Sequence, residues 1–92
     1  MQVTWDPQKA RSNLTKHGVD FADAAVALED LNALMVEDFD HPERRFKTLA
    51  MSPSSDVLLI VHTEHDQETI RIISARKADR SEESFYYGDD YG

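Results

Sequence analysis

The sequence predicts an α+β fold: an antiparallel sheet of four to five strands with two N-terminal helices and a C-terminal helix packed on it, in the order β-α-α-β-β-β-β-α. Two observations carry this. The hydrophobic period is helical up to about Leu28 and moves toward two from Leu34 onward, and the later runs are separated by turns short enough for hairpins. Helices segregated from a meander of this kind pack against it as a layer. The 92 residues allow one core that buries roughly 60–65% of the unfolded surface, too little for two domains. A single domain over 1–92 is therefore expected, with about 88–92 a frayed acidic tail.

"VTWD" is a short β-like start in which Trp5 is a core candidate. Asp6-Pro7 then opens a helix, because the carboxylate accepts from free N–H groups and proline in the first turn wastes no donor. That helix runs from about Pro7 to His17 and closes at Gly18, which takes the left-handed cap conformation at least cost. Its apolar content is thin, mainly Ala10 and Leu14, so Lys9, Arg11 and Lys16 face water or a partner. Asp20 caps a second helix, "FADAAVALED", with Phe21, Ala24, Ala25 and Leu28 on one face.

Four strand-like runs follow: "LMVEDFD", "RRFKTLAM", "VLLIVHTEH" and "ETIRIISAR". The turns "HPE", "SPSSD" and "HDQ" make consecutive strands antiparallel neighbours. "VLLIV" lacks polar alternation and is expected at the centre of the sheet, covered on both faces. Strict alternation along "RIISAR" puts Ser74 and Arg76 on the side of Ile70 and Ile72, and Arg71 on the other. A last helix is expected from about Asp79 to Tyr87.

The formal net charge is -8, which argues at first against a polyanionic partner. The charge is segregated, however. All ten Lys and Arg fall in three windows: Lys9, Arg11, Lys16; Arg44, Arg45, Lys47; and Arg71, Arg76, Lys77, Arg80. Only two acids, Glu43 and Asp79, share them, leaving a local +8 against -16 elsewhere. Each window is either a solvated face or part of one basic patch, according to how the fold arranges them. There is no cysteine, so disulfides and thiolate-based metal sites are excluded. The N-terminus has no apolar run of signal-peptide length, and "VLLIV" is far too short to span a bilayer, so a cytoplasmic protein away from membranes is expected.

"WDPQKARSNLTKHGVDFADA", "DHPERRF" and "RIISARKADR" together resemble the BrnT family of toxins from type II toxin–antitoxin modules, in the family's order and over nearly the whole chain. The resemblance implies a RelE-like fold, a ribonuclease that arrests translation and growth, and neutralisation by a BrnA-like antitoxin whose ribbon-helix-helix part binds DNA. It allows a homodimer or a toxin–antitoxin heterotetramer; direct DNA contact by this chain is not expected, because no helix combines a cationic face with a helix-turn-helix arrangement. Where the family carries a basic C-terminal helix, this chain has "SEESFYYGDDYG". That lowers long-range attraction for RNA and suits either a basic antitoxin surface or a homologue with weakened catalysis. A catalytically weak antitoxin-binding module, acting within an autorepressor complex, is the alternative reading.

Metal-free RNA cleavage needs a base for the 2′-hydroxyl, an acid for the leaving oxygen and cations around the phosphoryl oxygens. Arginine suits the last role because its fork matches two phosphate oxygens and stays charged. Arg76, Arg45 and Lys47 are the catalytic candidates, with Glu43 and His17 as proton carriers; Lys9, Arg44, Lys77 and Arg80 are candidates for RNA binding. Each cation has an alternative as a surface ion pair. His17 could equally serve the helix dipole, and His41 is a further proton carrier. His62 and His65 fall on opposite faces of an extended chain, which argues against a metal pair. Tyr86 and Tyr87 either stack on a base or belong to the core. No cofactor and no metal are expected.

Overall fold

The computed structural model describes residues 1–66 and 68–88. The elements are β1 (Gln2–Trp5), α1 (Pro7–His17), α2 (Phe21–Ala27), β2 (Leu34–Asp38), β3 (Arg45–Met51), β4 (Val57–His65), β5 (Thr69–Lys77) and α3 (Arg80–Tyr87), in the expected order. The expected acidic tail lies, apart from Gly88, outside the described residues.

Local signals place the helix ends well. The Asp6 carboxylate accepts the Gln8 amide at 2.8 Å, and Gly18 closes α1 at φ 71 with its N–H on the Leu14 carbonyl. α2 stops at Ala27, short of the expected Asp30, because the amides beyond its cap Leu28 reach back only three residues: Glu29 to Val26 and Asp30 to Ala27. Such tightening ends a helix without Gly or Pro. At α3, Asp79 and Glu82 form a reciprocal capping box.

The sheet has five strands in the order β1-β5-β4-β3-β2, and it is mixed rather than antiparallel. β2 to β5 are the expected hairpin neighbours, with β4 at the centre. β1 pairs parallel with β5, Val3 opposite Ile70 and Trp5 opposite Ile72. Short turns dictate antiparallel pairing only between consecutive strands; two helices separate β1 from the meander, so its direction is set by the crossover.

A second departure is decisive for the site. In the β4–β5 ladder Val61 pairs with Ser74 but His62 pairs with Ile72, so Ile73 is an extra residue, a β-bulge. The bulge resets the alternation: Ile72 and Ala75 both face the helices and are buried, whereas Arg71 and Arg76 both face away. The expected grouping of Arg76 with Ile70 and Ile72, and its separation from Arg71, is thereby overturned.

The core lies between the sheet and the N-terminal helices. Val19, Phe21, Ala24 and Ala27 pack on Ala50, Leu58, Ile60, Ile72 and Ala75, and Trp5 meets Phe21 edge to face at 6.1 Å, as expected of a core tryptophan. Asn13 ties α1 to the part of β5 that β1 is too short to cover. Its amide donates to the carbonyls of Val19 (3.0 Å) and Ala75 (2.8 Å), and its oxygen accepts the Ala75 N–H at 3.1 Å. Buried backbone groups at a sheet edge are thus satisfied by a side chain. On the same side His62 is 1% exposed, bonded through Nε2 to Thr48 Oγ1 at 2.7 Å and stacked on Phe46.

Candidate ribonuclease site

The face of the sheet away from the core helices collects cations from two chain windows. Residues directly opposite in an antiparallel ladder project to the same side. Three cross-strand rows follow from the register: Asp38, Arg45, Thr63, Arg71; then Val36, Lys47, Val61, Ser74; then Leu34, Leu49, Leu59, Arg76. Arg45 and Arg71 flank the β4 position of Thr63, two strand spacings or about 10 Å apart at the backbone. Arg45, Lys47, Arg71 and Arg76 therefore share one surface around an apolar centre of Leu59 and Val61.

Two of the four are held by carboxylates. Arg76 makes a fork-to-fork pair with Glu82, Nη1 to Oε1 at 2.8 Å and Nη2 to Oε2 at 2.9 Å. The Glu82 Oε1 atom also accepts the Asp79 amide at 2.9 Å, so one carboxylate both caps α3 and neutralises Arg76. The pair holds the Glu82 carboxyl below its usual range and pushes the Arg76 guanidinium up. Arg45 donates through Nε to Glu43 at 2.6 Å, and that bond holds the Glu43 carboxyl down, with Lys9 contributing through its charge. Glu43 is thus Arg45's partner, ionised near neutral pH and weakly basic. Lys47 and Arg71 make no ion pair within 4 Å among the described residues.

The α1 window borders this surface. Lys9, Lys16 and His17 line a shallow groove of about 260 Å³ with Ile73 and Ser74 of β5. Other expected residues fall elsewhere. Arg44 points to the helix side, bonded to Glu37 and lying 5.2 Å over the Phe46 ring. Lys77 is directed toward Asp56, at 3.8 Å, beside the α1–α2 junction. Arg80 is exposed at the start of α3. His41 pairs with Asp38 at 3.2 Å. His62 belongs to the core and His65 is described for its backbone alone. The Tyr86 hydroxyl is bonded to Asp30, which pushes it up to about 12, and its ring meets Tyr87 edge to face at 5.1 Å. Burial pushes the Asp30 carboxyl up, but the Tyr86 hydroxyl and the Met51 and Asn32 amides outweigh that and hold it low.

Sequence reasoning missed Arg71. Alternation counted along an uninterrupted strand puts it on the wrong face, and no Gly or other bulge signal marks Ile73. Among the described residues no group of three or more His, Asp or Glu is placed to hold a metal ion, and no helix is long and apolar enough to cross a membrane.

Comparison with known proteins decides the family. The model of the "Ribonuclease toxin, BrnT, of type II toxin-antitoxin system" matches residues 5–82, from Trp5 to Glu82. The chain belongs to the BrnT family. A BrnT toxin of this system implies an antitoxin as partner. The fold agrees: the 1.1 Å crystal structure of the Brucella abortus ribonuclease toxin BrnT superimposes with a TM-score of 0.70 at 24% identity, covering 87% of this chain and 99% of that one. No curated protein sequence matches significantly. The matched span of the BrnT model takes in both arginine-bearing strands and ends on the residue that holds Arg76.

Proposed function

We propose that this BrnT-family chain is a RelE-like, metal-independent endoribonuclease of the bacterial cytoplasm, which arrests translation and growth until a BrnA-like ribbon-helix-helix antitoxin neutralises it. The observation that carries the reading is the β-bulge at Ile73, which sets Arg71 and Arg76 on the face that holds Arg45 and Lys47. RNA cleavage needs cations where charge grows on the phosphoryl oxygens, and a rigid sheet supplies them preorganised. Arg71 and Lys47 are the first to meet the phosphate. The Arg76 and Arg45 forks engage it by exchanging their carboxylate partners, like for like in shape and charge. Glu43, released from Arg45 by that exchange and no longer held down by it, takes the proton of the 2′-hydroxyl, and His17 in the adjoining groove is the proton carrier on the α1 side. Lys9 and Lys16 extend the track for the RNA backbone; Arg44 and Lys77, turned from this face, are left out of it.

A second reading has one observation in its favour. With Arg76 held by Glu82 and Arg45 by Glu43, half of the cations on the face are already neutralised. A weak nuclease that mainly binds its antitoxin within an autorepressor complex fits that balance. Purified RNA separates the two. Cleavage that survives EDTA and falls at least about 100-fold in Arg71→Ala and Arg76→Ala supports the nuclease, since loss of one transition-state donor costs that much. Cleavage that needs a divalent ion, or that ignores both substitutions, refutes it.

A further inference from the structure

The segment from Glu29 to Asp40 contains Glu29, Asp30, Glu37, Asp38 and Asp40 and no Lys or Arg. It includes β2, whose outer edge pairs with no strand among the described residues. Native edge strands are blunted by charges, proline or a bulge; β2 has no lysine, proline or bulge, and its two charges, Glu37 and Asp38, sit together at its C-terminal end. Instead it exposes apolar side chains: Val36 at 55% and Met35 at 52%, with Leu31 at 100% and Phe39 at 82% on either side. At its start a groove of about 710 Å³ opens between Asp30, Leu31, Leu34 and Met51 on one side and Tyr86 and Tyr87 of α3 on the other. The Tyr86–Asp30 hydrogen bond fixes that wall.

Charge selects the occupant. Arg44 pairs with Glu37 and His41 with Asp38, but Glu29, Asp30 and Asp40 meet no cation within 4 Å among the described residues, so the edge stays acidic and repels RNA. A second copy of this chain, pairing edge to edge, would bring the same five acids together from each side, and like charges across an interface cost affinity. A polypeptide with Lys or Arg alternating with aliphatic residues satisfies every feature: its backbone adds to the open edge, its apolar side chains enter the groove, and its cations meet the acids.

We propose that the β2 edge with its groove is the docking surface for the antitoxin, which contributes a cationic, strand-forming segment. This rests on the reading of the chain as a toxin with a protein partner. Leu34, Val36 and Asp38 lie on the same sheet face as Arg45 and Lys47, so a partner seated here reaches the border of the basic surface.

The test uses the full chain and the protein encoded beside it. Leu31→Lys and Met35→Lys alter exposed positions off the basic face, Met35 projecting to the opposite side of β2, and should leave RNA cleavage unchanged while weakening the complex at least tenfold. Arg71→Ala should change complex affinity less than twofold. Amides of residues 34–38 should gain hydrogen-exchange protection on binding, and affinity should fall with added salt. Full affinity in the two lysine variants, affinity lost instead in Arg71→Ala, or unprotected β2 amides would each overturn the assignment. Absence of any complex with the unaltered chain, together with unrelieved growth arrest, would sink the toxin reading itself and the docking surface with it.

Discussion

The state of the arginine–carboxylate pairs can be read from the salt dependence of RNA binding. Each phosphate neutralised on a single strand contributes about -0.7 to the slope of log affinity against log salt. In a Lys9→Ala, Lys16→Ala background, if Glu43 and Glu82 stay in place, Lys47 and Arg71 alone contact phosphate, giving a slope near -1.4 and a roughly sevenfold loss of affinity between 50 and 200 mM salt. If both carboxylates yield, four cations engage, the slope approaches -2.8 and the loss is about 50-fold. Fluorescence anisotropy with a short 2′-deoxy-blocked RNA distinguishes these values, because binding is measured without cleavage. Arg71→Ala should flatten the slope by about 0.7 in either case. Glu82→Gln should steepen it by a similar amount only if the carboxylate otherwise holds Arg76 away from RNA. A slope unaffected by Arg71→Ala and Lys47→Ala would show that RNA binds somewhere other than this face.

Three further outcomes follow from the fold. Asn13→Ala strips partners from the Ala75 N–H and C=O and the Val19 carbonyl, and should cost about 3 kcal/mol, lowering the melting midpoint by roughly 12 °C or more; a loss below about 1 kcal/mol would remove Asn13 from this role. Burial holds the His62 imidazole below its usual 6.5, outweighing Glu64 and the Thr63 contact, so the unfolded chain takes up a proton that the folded chain refuses. Stability is therefore full above pH 6.5 and falls below it, by at most about 1.4 kcal/mol per pH unit; a urea midpoint that stays flat from pH 7 to 5.5 would contradict this. Asp79→Ala should fray α3, by about 1 kcal/mol, and speed amide exchange over residues 80–84 while β4 stays protected; uniform acceleration would mean α3 unfolds only with the whole domain.

Elements governed by neighbouring residues were legible in the sequence. Asp6-Pro7 and Gly18 delimit α1, Asp79 opens α3, and three short turns order the meander from β2 to β5. Features that depend on distant residues were not. The parallel seat of β1 beside β5 depends on a crossover of two helices, and the bulge at Ile73 depends on the register against β4. Of the site, Arg45, Lys47 and Arg76 were legible as cations on strands. The capture of Arg76 by Glu82 was half visible: Asp79 and Glu82 have capping-box spacing, but only the fold brings Arg76 within reach of the same carboxylate.

The pairing of β1 with β5 has a consequence for how the protein is made. Trp5 comes to lie against Ile72, so β1 has no strand neighbour until β5 has been synthesised. Contacts of such long sequence separation close late. Arg71 and Arg76 arrive with that same last strand, so a nascent or prematurely terminated chain carries neither a finished sheet nor a completed basic surface. The cleavage proposed for this face therefore waits for β5, by which point the β2 edge proposed to dock the antitoxin has already been made.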